Sequence, residues 1–264
     1  MTDDPILLRA DDGPVATLTL NRPGALNALS DAMLAALTDE LARLADQTAT
    51  RVVILKGAGK AFCAGHDLRE MQAGRQAEDQ GRAYFADLFG RCAAVMLAIR
   101  RLPQPVIAQV HGIATAAGCQ LVATCDMAVA AEGTRFGVNG VNIGLFCSTP
   151  MVALTRNIPR KHAFEMLTTG AFVDAHRAEA LGLVNRVVPH DALETETRAL
   201  AATVAGKLGA AVRIGKRAFH DQADLPVEAA YDHAAAVMVE NMLWRDTDEG
   251  IRAFLEKRAP DWQE

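Results

Sequence analysis

Three features are missing from this 264-residue sequence: an apolar run of membrane-spanning length, a cationic leader and an excess of positive charge. A transmembrane helix needs about 18 or more apolar residues in a row, and a secretory signal starts with basic residues rather than MTDD. The net charge of −5 does not suit nucleic-acid phosphates, and a composition that is 50% hydrophobic excludes a disordered chain. We expect a cytoplasmic globular protein with no membrane or nucleic-acid partner.

Metal-ligand spacings are also missing. The histidines of the second half form no pair at helical spacing: His162, His176, His190, His220 and His233. The cysteines are odd in number and lack a zinc-finger pattern: Cys63, Cys92, Cys119, Cys125 and Cys147. These patterns predict no metal site and reduced thiols in a reducing compartment.

The apolar pattern predicts an α/β protein with one main domain. Short runs rich in apolar or β-branched residues are typical of strands buried on both faces: Val15–Leu20, Arg51–Lys56, Val106–Val110 and Met127–Ala131. Ser30 is a suitable cap for a helix with an apolar stripe, and a second helix over Arg91–Leu102 ends before Pro103. The polar segment Met71–Gln80 is expected to be a surface loop.

The last third has few strand signals and is predicted to be helical over Pro159–Thr169, Asp191–Leu208, Val227–Trp244 and Asp248–Lys257. We therefore divide the chain into a core over residues 1–200 and a helical C-terminal region over 201–264. The basic residues of that region are expected on solvated helix faces: Lys216, Arg217, Lys257 and Arg258.

Two stretches of small residues, KGAGKAFCAGHDL (56–68) and HGIATAAGCQLVATCD (111–126), each follow a predicted strand and lead into a helix. Small residues let backbone amides approach a ligand closely, and two such amides aimed at one oxygen would form an oxyanion hole. Tight packing demands small residues too, so the pattern alone leaves both interpretations open. Asp67 is placed to cap the following helix, and Glu70 to complete a capping box.

These stretches, together with NRPGALNAL (21–29), FGVNGVNIGLF (136–146) and FLEKRAPDW (254–262), resemble the crotonase family, the enoyl-CoA hydratase and isomerase superfamily. Within it they look most like the subgroup called enoyl-CoA hydratase domain-containing protein 3. The resemblance implies a spiral of repeated ββα units followed by a helical region that packs homotrimers or hexamers. It also implies an acyl-CoA substrate and the label enoyl-CoA hydratase.

By resemblance, the oxyanion amides belong to Ala64 and Ala117, although the family usually has glycine at the second position. Coenzyme A, as part of the substrate and not a separate cofactor, would contact residues of the first turn and of the C-terminus: Ala64, Gly65, His66, Asp67, Phe254 and Lys257.

The chain departs from the family at both usual catalytic glutamates, which are replaced by Gln120 and Gly140. Glutamine does not titrate near neutral pH and glycine has no side chain, so neither replaces a carboxylate as acid or base. Efficient hydration is therefore doubtful. Three alternatives stay open: a decarboxylase, to which AGHDL and VNIG are similar; a dienoyl-type isomerase; and a non-catalytic acyl-CoA-binding protein.

Three further residues near these motifs have plainer interpretations. Cys147 is expected to be a small buried thiol, although the tyrosine of the decarboxylase relative would fall there. Ser148 is expected to cap a helix, although an aspartate aligns with it in dienoyl isomerases. His111 is expected to be a hydrogen-bonding turn residue.

Overall fold

A computed structural model describes residues 5–263, so the acidic start at residues 1–4 and Glu264 lie outside it. Nine strands are present: β1 (Leu7–Asp12), β2 (Val15–Leu20), β3 (Val52–Gly57), β4 (Val106–Val110), β5 (Ile113–Thr115), β6 (Met127–Ala131), β7 (Arg135–Gly137), β8 (Val173–Asp174) and β9 (Arg186–Val188). The main sheet has the order β1-β2-β3-β4-β6-β9 and is parallel except for the β1–β2 hairpin. A small second sheet has the order β5-β7-β8.

The four strands predicted from apolar runs are confirmed, three of them with the predicted bounds. All five residues of β4 are buried because helices cover both faces of the sheet. Val106, Ala108 and Val110 pack in the larger core, and Ile107 packs in a smaller one on the opposite face. This alternation follows from the two-residue period of a strand.

The helices are α1 (Asp31–Ala45), α2 (Leu68–Gly74), α3 (Arg82–Arg101), α4 (Ala117–Thr124), α5 (Pro150–Asn157), α6 (Arg160–Thr169), α7 (Ala175–Leu181), α8 (Leu193–Ala205), α9 (Gly209–Gln222), α10 (Val227–Met242) and α11 (Arg245–Leu255). The predicted cap of α1 is confirmed, because Ser30 Oγ accepts from the Met33 amide at 3.2 Å. The predicted helix ending before Pro103 is α3, which begins nine residues earlier than expected.

The prediction of a surface loop over Met71–Gln80 is wrong for its first residues, which belong to α2. Met71 packs against the larger core, and Asp67 caps the helix, so apolar contact and a cap outweigh the polar composition.

The C-terminal region is helical, as predicted, and α9 ties it to the sheet. Lys216 on α9 is only 7% exposed, and its ammonium donates to the Ile99 and Gln104 carbonyls at 3.0 and 2.9 Å and to the Asp126 carboxylate at 2.7 Å. The expectation that Lys216 is solvated is therefore wrong. The predicted boundary between the core and the C-terminal region, at residue 200, lies inside α8, which packs on the sheet. This division of the chain stays a prediction.

Helices α10 and α11 and the link between them leave large apolar side chains exposed, among them Tyr231, Met238, Leu243, Phe254 and Leu255. Across residues 5–263, no helix has the length and apolar character needed to cross a membrane.

Candidate active site

The two small-residue turns lie side by side and are joined by backbone hydrogen bonds. The Cys63 amide donates to the Ile113 carbonyl at 3.1 Å, and the Thr115 amide donates back to the Cys63 carbonyl at 3.0 Å. This short parallel pairing brings the start of α4 against the turn that precedes α2. The sequence prediction that the two turns meet is thus supported by direct contacts.

Glycine is required where the turns touch. A Cβ on Gly118 would lie 2.2 Å from the Cys63 carbonyl oxygen, so no larger residue fits there without a shift. Gly65 has a φ of +89°, and a Cβ on it would lie 3.3 Å from the Ala117 amide nitrogen. A side chain at position 65 would therefore crowd that amide.

Ala117 is the first residue of α4, and its amide has no acceptor among residues 5–263. The preceding residue, Ala116, has φ 50° and ψ −120°, an uncommon conformation for a residue with a side chain, and its own amide donates to the Gly137 carbonyl at 2.9 Å. Strain of this kind is tolerated where surrounding contacts impose it. The free Ala117 amide points out of a helix N-terminus, which favours negative charge.

The expectation that Ala64 supplies the other free amide is wrong in this structure. The Ala64 amide donates to the Leu26 carbonyl at 3.0 Å and is not available to a ligand. The Gly65 amide lies beside the Cys63 thiol, whose pKa burial raises to about 12 while that amide opposes the rise. His66 is the next residue, and its amide has no acceptor in the described part of the chain.

Asp67 is held by protein groups. Its carboxylate accepts from the Arg69 amide at 3.0 Å and forms a 2.9 Å ion pair with Arg22. Burial opposes ionisation, but these contacts keep the pKa of Asp67 below its ordinary value. The predicted helix cap is confirmed, whereas Glu70 accepts from the Asp31 amide at 2.8 Å instead of completing a capping box.

The His66 ring is packed between Phe89 and the Leu29 backbone. Its edge contacts Phe89 with the ring centroids 5.7 Å apart, both ring nitrogens are inaccessible to solvent, and the ring interacts with the Leu29 backbone. Burial lowers the pKa of His66 below its ordinary 6.5, so the ring is neutral at pH 7.

Gln120 lies one turn along α4 from Ala117 and is 5% exposed. Its Oε1 atom is buried and has no partner in the described chain. Gln120 therefore presents a polar atom that the described protein does not satisfy.

The space beside Gly140 is closed. A Cβ on Gly140 would lie 2.3 Å from the Leu145 carbonyl oxygen and 2.9 Å from Cys147 Sγ. A glutamate at this position therefore requires the 145–147 segment to move. The Leu145 backbone and the Cys147 thiol fill the space beside the position of the missing second carboxylate. The sequence alone does not show this.

The structure tests the structural roles predicted for Cys147, His111 and Ser148. Cys147 is a buried thiol, as predicted, and burial raises its pKa. His111 hydrogen-bonds the Gly59 carbonyl at 2.8 Å, as predicted. Ser148 does not cap α5, because its hydroxyl contacts the Phe146 carbonyl at 3.4 Å and the residue before the helix is Thr149.

Sequence reasoning missed two backbone contacts. The Leu26 carbonyl accepts the hydrogen bond of the Ala64 amide, and the Leu145 carbonyl fills the space beside Gly140. It also missed the 2.6 Å hydrogen bond from the Thr115 hydroxyl to Asn139 Oδ1, which joins the second turn to the 139–143 segment. Carbonyl contacts leave no side-chain signal in a sequence. Phe254 is 82% exposed and Lys257 follows α11, and their contact with coenzyme A stays a prediction.

We expect Gly140→Ala to lower the free energy of unfolding by about 2 kcal/mol, because the added methyl overlaps the Leu145 carbonyl. Urea denaturation would measure the loss. Gly90→Ala is the matched control, since Gly90 lies in α3 with open space around its Cβ position and should gain about 0.5–1 kcal/mol. Equal stability of wild type and Gly140→Ala would contradict the closed space.

The fold and the paired turns define the crotonase class, and comparison with known proteins agrees. The Enoyl-CoA hydratase/isomerase family profile matches residues 11–264. The chain belongs to this family.

Within the family, the chain is similar to human enoyl-CoA hydratase domain-containing protein 3, mitochondrial. The two are 45% identical over 258 residues, which cover 98% of this chain and 83% of the human protein. The crystal structure of that human protein matches with a TM-score of 0.92 and 43% identity, covering 97% of this chain and 100% of the other. A crystal structure of an enoyl-CoA hydratase from Mycobacterium smegmatis matches with a TM-score of 0.95 and 56% identity, covering 98% of this chain and 99% of the other. The family and subgroup predicted from the motifs are confirmed.

Proposed function

We propose that this protein binds an acyl-CoA thioester and holds the thioester oxygen at the backbone amides of His66 and Ala117. The observation that carries the proposal is the Ala117 amide at the start of α4, which has no acceptor in the described chain and would be crowded by any side chain at Gly65. Both amides lack a protein acceptor in the described chain, and the α4 N-terminus adds a favourable electrostatic field.

Such a site stabilises an enolate. When the bond between the thioester α-carbon and a proton or a carboxyl group breaks, the electron pair moves onto the thioester oxygen, where two amides share the charge. Hydration needs, in addition, an acid or base to activate water and transfer a proton. The neutral Gln120 and the closed space beside Gly140 favour weak hydratase activity, because each missing group typically contributes about 10²–10⁴-fold.

A second candidate is an acyl-CoA-binding protein without turnover. It is favoured by the Leu145 carbonyl and the Cys147 thiol, which fill the space of a catalytic carboxylate with groups that do not exchange protons at neutral pH. Decarboxylation and dienoyl isomerisation also proceed through an enolate. A screen with malonyl-type and dienoyl thioesters tests both reactions.

The remaining parts of the proposal concern assembly, coenzyme A and location. We propose a homotrimer or hexamer, supported by the exposed apolar side chains of α10 and α11, and coenzyme A contacts at Phe254 and Lys257. No separate cofactor or metal is proposed. The similar human protein carries the word mitochondrial in its name, so a cytoplasmic location stays a prediction.

Crotonyl-CoA tests both the proposed binding of an acyl-CoA thioester and the proposed weak hydratase activity. We expect calorimetry to detect crotonyl-CoA binding to wild-type protein, and a spectrophotometric assay to detect little hydration. Gln120→Glu restores one carboxylate and should raise hydration by about 10²-fold, whereas the uncharged control Gln120→Met should not.

Absence of binding would overturn the acyl-CoA proposal. Fast hydration by wild-type protein would overturn the role given to the missing carboxylates. Turnover of a malonyl-type or dienoyl thioester in a parallel screen would reject the second candidate.

A further inference from the structure

One buried side chain ties the 21–29 segment to the first small-residue turn. Asn27 is fully buried, and its side-chain amide donates to the carbonyls of Ala58 and Ala61, both at 2.8 Å. Its Oδ1 atom accepts from the Arg22 amide at 2.9 Å. One donor and two acceptors around the group fix the orientation of this amide. The Asn27 side chain therefore connects its own segment to the loop that follows β3.

The same segment also pairs with the turn through its backbone. The Leu26 carbonyl accepts from the Ala64 amide at 3.0 Å, and the Leu29 amide donates to the Gly65 carbonyl at 2.7 Å. These two bonds involve the residues just before His66 and leave the His66 amide without an acceptor in the described chain. Which amide of the turn is free therefore depends on where this segment lies.

The backbone of this segment has an uncommon conformation at two successive residues. Leu26 has a φ of +52° and Asn27 has a φ of +55°, in the left-handed region that residues with side chains rarely adopt. Asparagine tolerates this region better than leucine does, so surrounding contacts have to hold the Leu26 carbonyl in place. The Asn27 side chain, one residue along, makes three such contacts.

We propose that Asn27 is a positioning residue for the oxyanion site. Its three side-chain hydrogen bonds set the distance between its own segment and the first turn. At this distance the Leu26 carbonyl takes the Ala64 amide, and the His66 amide stays free for the thioester oxygen. Asn27 does not touch the ligand, because it is fully buried and its side-chain polar atoms have protein partners. This role rests on the proposed function, since it concerns the donor geometry of the same site.

Two substitutions remove the side-chain donors of Asn27. Asn27→Asp is isosteric but places an acceptor against two carbonyls, and Asn27→Gly removes the side chain at a φ that glycine adopts readily. We expect each folded variant to bind the acetoacetyl-CoA enolate about 10- to 100-fold more weakly than wild type, because a misplaced amide stabilises the negative charge less. Binding of butyryl-CoA, a neutral thioester, should stay within a few-fold. Ultraviolet absorbance measures the enolate, and calorimetry measures butyryl-CoA.

Gln104→Glu is the matched control. Gln104 is also a buried amide that donates to two backbone carbonyls, those of Leu44 and Gln47 at 2.8 and 2.7 Å. It lies just before β4, whereas the two small-residue turns follow the carboxyl ends of β3 and β4. Its substitution should lower stability and leave the ratio of enolate binding to butyryl-CoA binding unchanged. Thermal unfolding shows which variants are folded, and Asn27→Gly decides the outcome if Asn27→Asp does not fold.

Three results would overturn the positioning role while the proposed function stands. They are an unchanged ratio in folded Asn27→Gly, an equal loss of both ligands in the Asn27 variants, and a change of the ratio in Gln104→Glu as large as theirs. The wild-type protein tests the proposed function separately. Binding of butyryl-CoA without the enolate would reject the oxyanion amides, and binding of neither thioester would reject the acyl-CoA proposal, so the role of Asn27 would fall in both cases.

Discussion

Ala117→Pro is expected to reduce the stabilisation of a bound enolate by about 10²–10³-fold. The substitution deletes one of the two free amides, and loss of a single oxyanion donor has an effect of this size. Proline is tolerated at the first position of a helix, where the missing amide has no intrahelical acceptor, so α4 should persist. Acetoacetyl-CoA is a suitable probe, because its enolate is observed by ultraviolet absorbance when bound.

Ala117→Gly is the matched control, since it keeps the amide and has the residue usual in the family. It should bind the acetoacetyl-CoA enolate within a few-fold of wild type. A second pair, His66→Pro and His66→Ala, separates the His66 amide from its ring, because both remove the ring and only the first removes the amide. Full enolate binding by folded Ala117→Pro would reject the Ala117 amide as a donor.

Lys216→Met is expected to lower the free energy of unfolding by about 3 kcal/mol. The Lys216 ammonium donates three hydrogen bonds that connect α9 to the end of α3 and to Asp126. Its removal leaves the partly buried Asp126 carboxylate without its cation and leaves two carbonyls without a donor, although the Val106 amide and His220 still contact Asp126. Burial lowers the pKa of Lys216, and the Asp126 carboxylate opposes that shift.

Arg217→Met is the control for this prediction. The neighbouring Arg217 side chain is 85% exposed, and its replacement should change stability by less than about 0.5 kcal/mol. Urea denaturation at one fixed protein concentration measures both variants, because association would otherwise shift the apparent stability. A loss below about 1 kcal/mol for Lys216→Met would contradict the structural role of this cluster.

Local patterns predicted the strands well where the residues are buried on both faces. The runs Val15–Leu20, Val106–Val110 and Met127–Ala131 match β2, β4 and β6, because a doubly buried strand is rich in apolar and β-branched residues on both faces. The Ser30 cap of α1 was predictable for a similar reason, since capping uses neighbouring residues. The beginning of α2 and α3 was less predictable, because contact with the core stabilises polar-looking segments.

The amino-acid sequence by itself determined the family, the two small-residue turns, the missing carboxylates at Gln120 and Gly140 and most of the core strands. These follow from residue identity and short spacing.

Only the tertiary structure decided which amides are free, because the acceptor of the Ala64 amide lies at Leu26, far back in the chain. It likewise decided that the space beside Gly140 is closed and that Lys216 is buried. The physical reason is the same in each case: a hydrogen bond or an excluded volume depends on which distant backbone atoms the fold brings within about 3 Å, and sequence spacing carries no record of that distance.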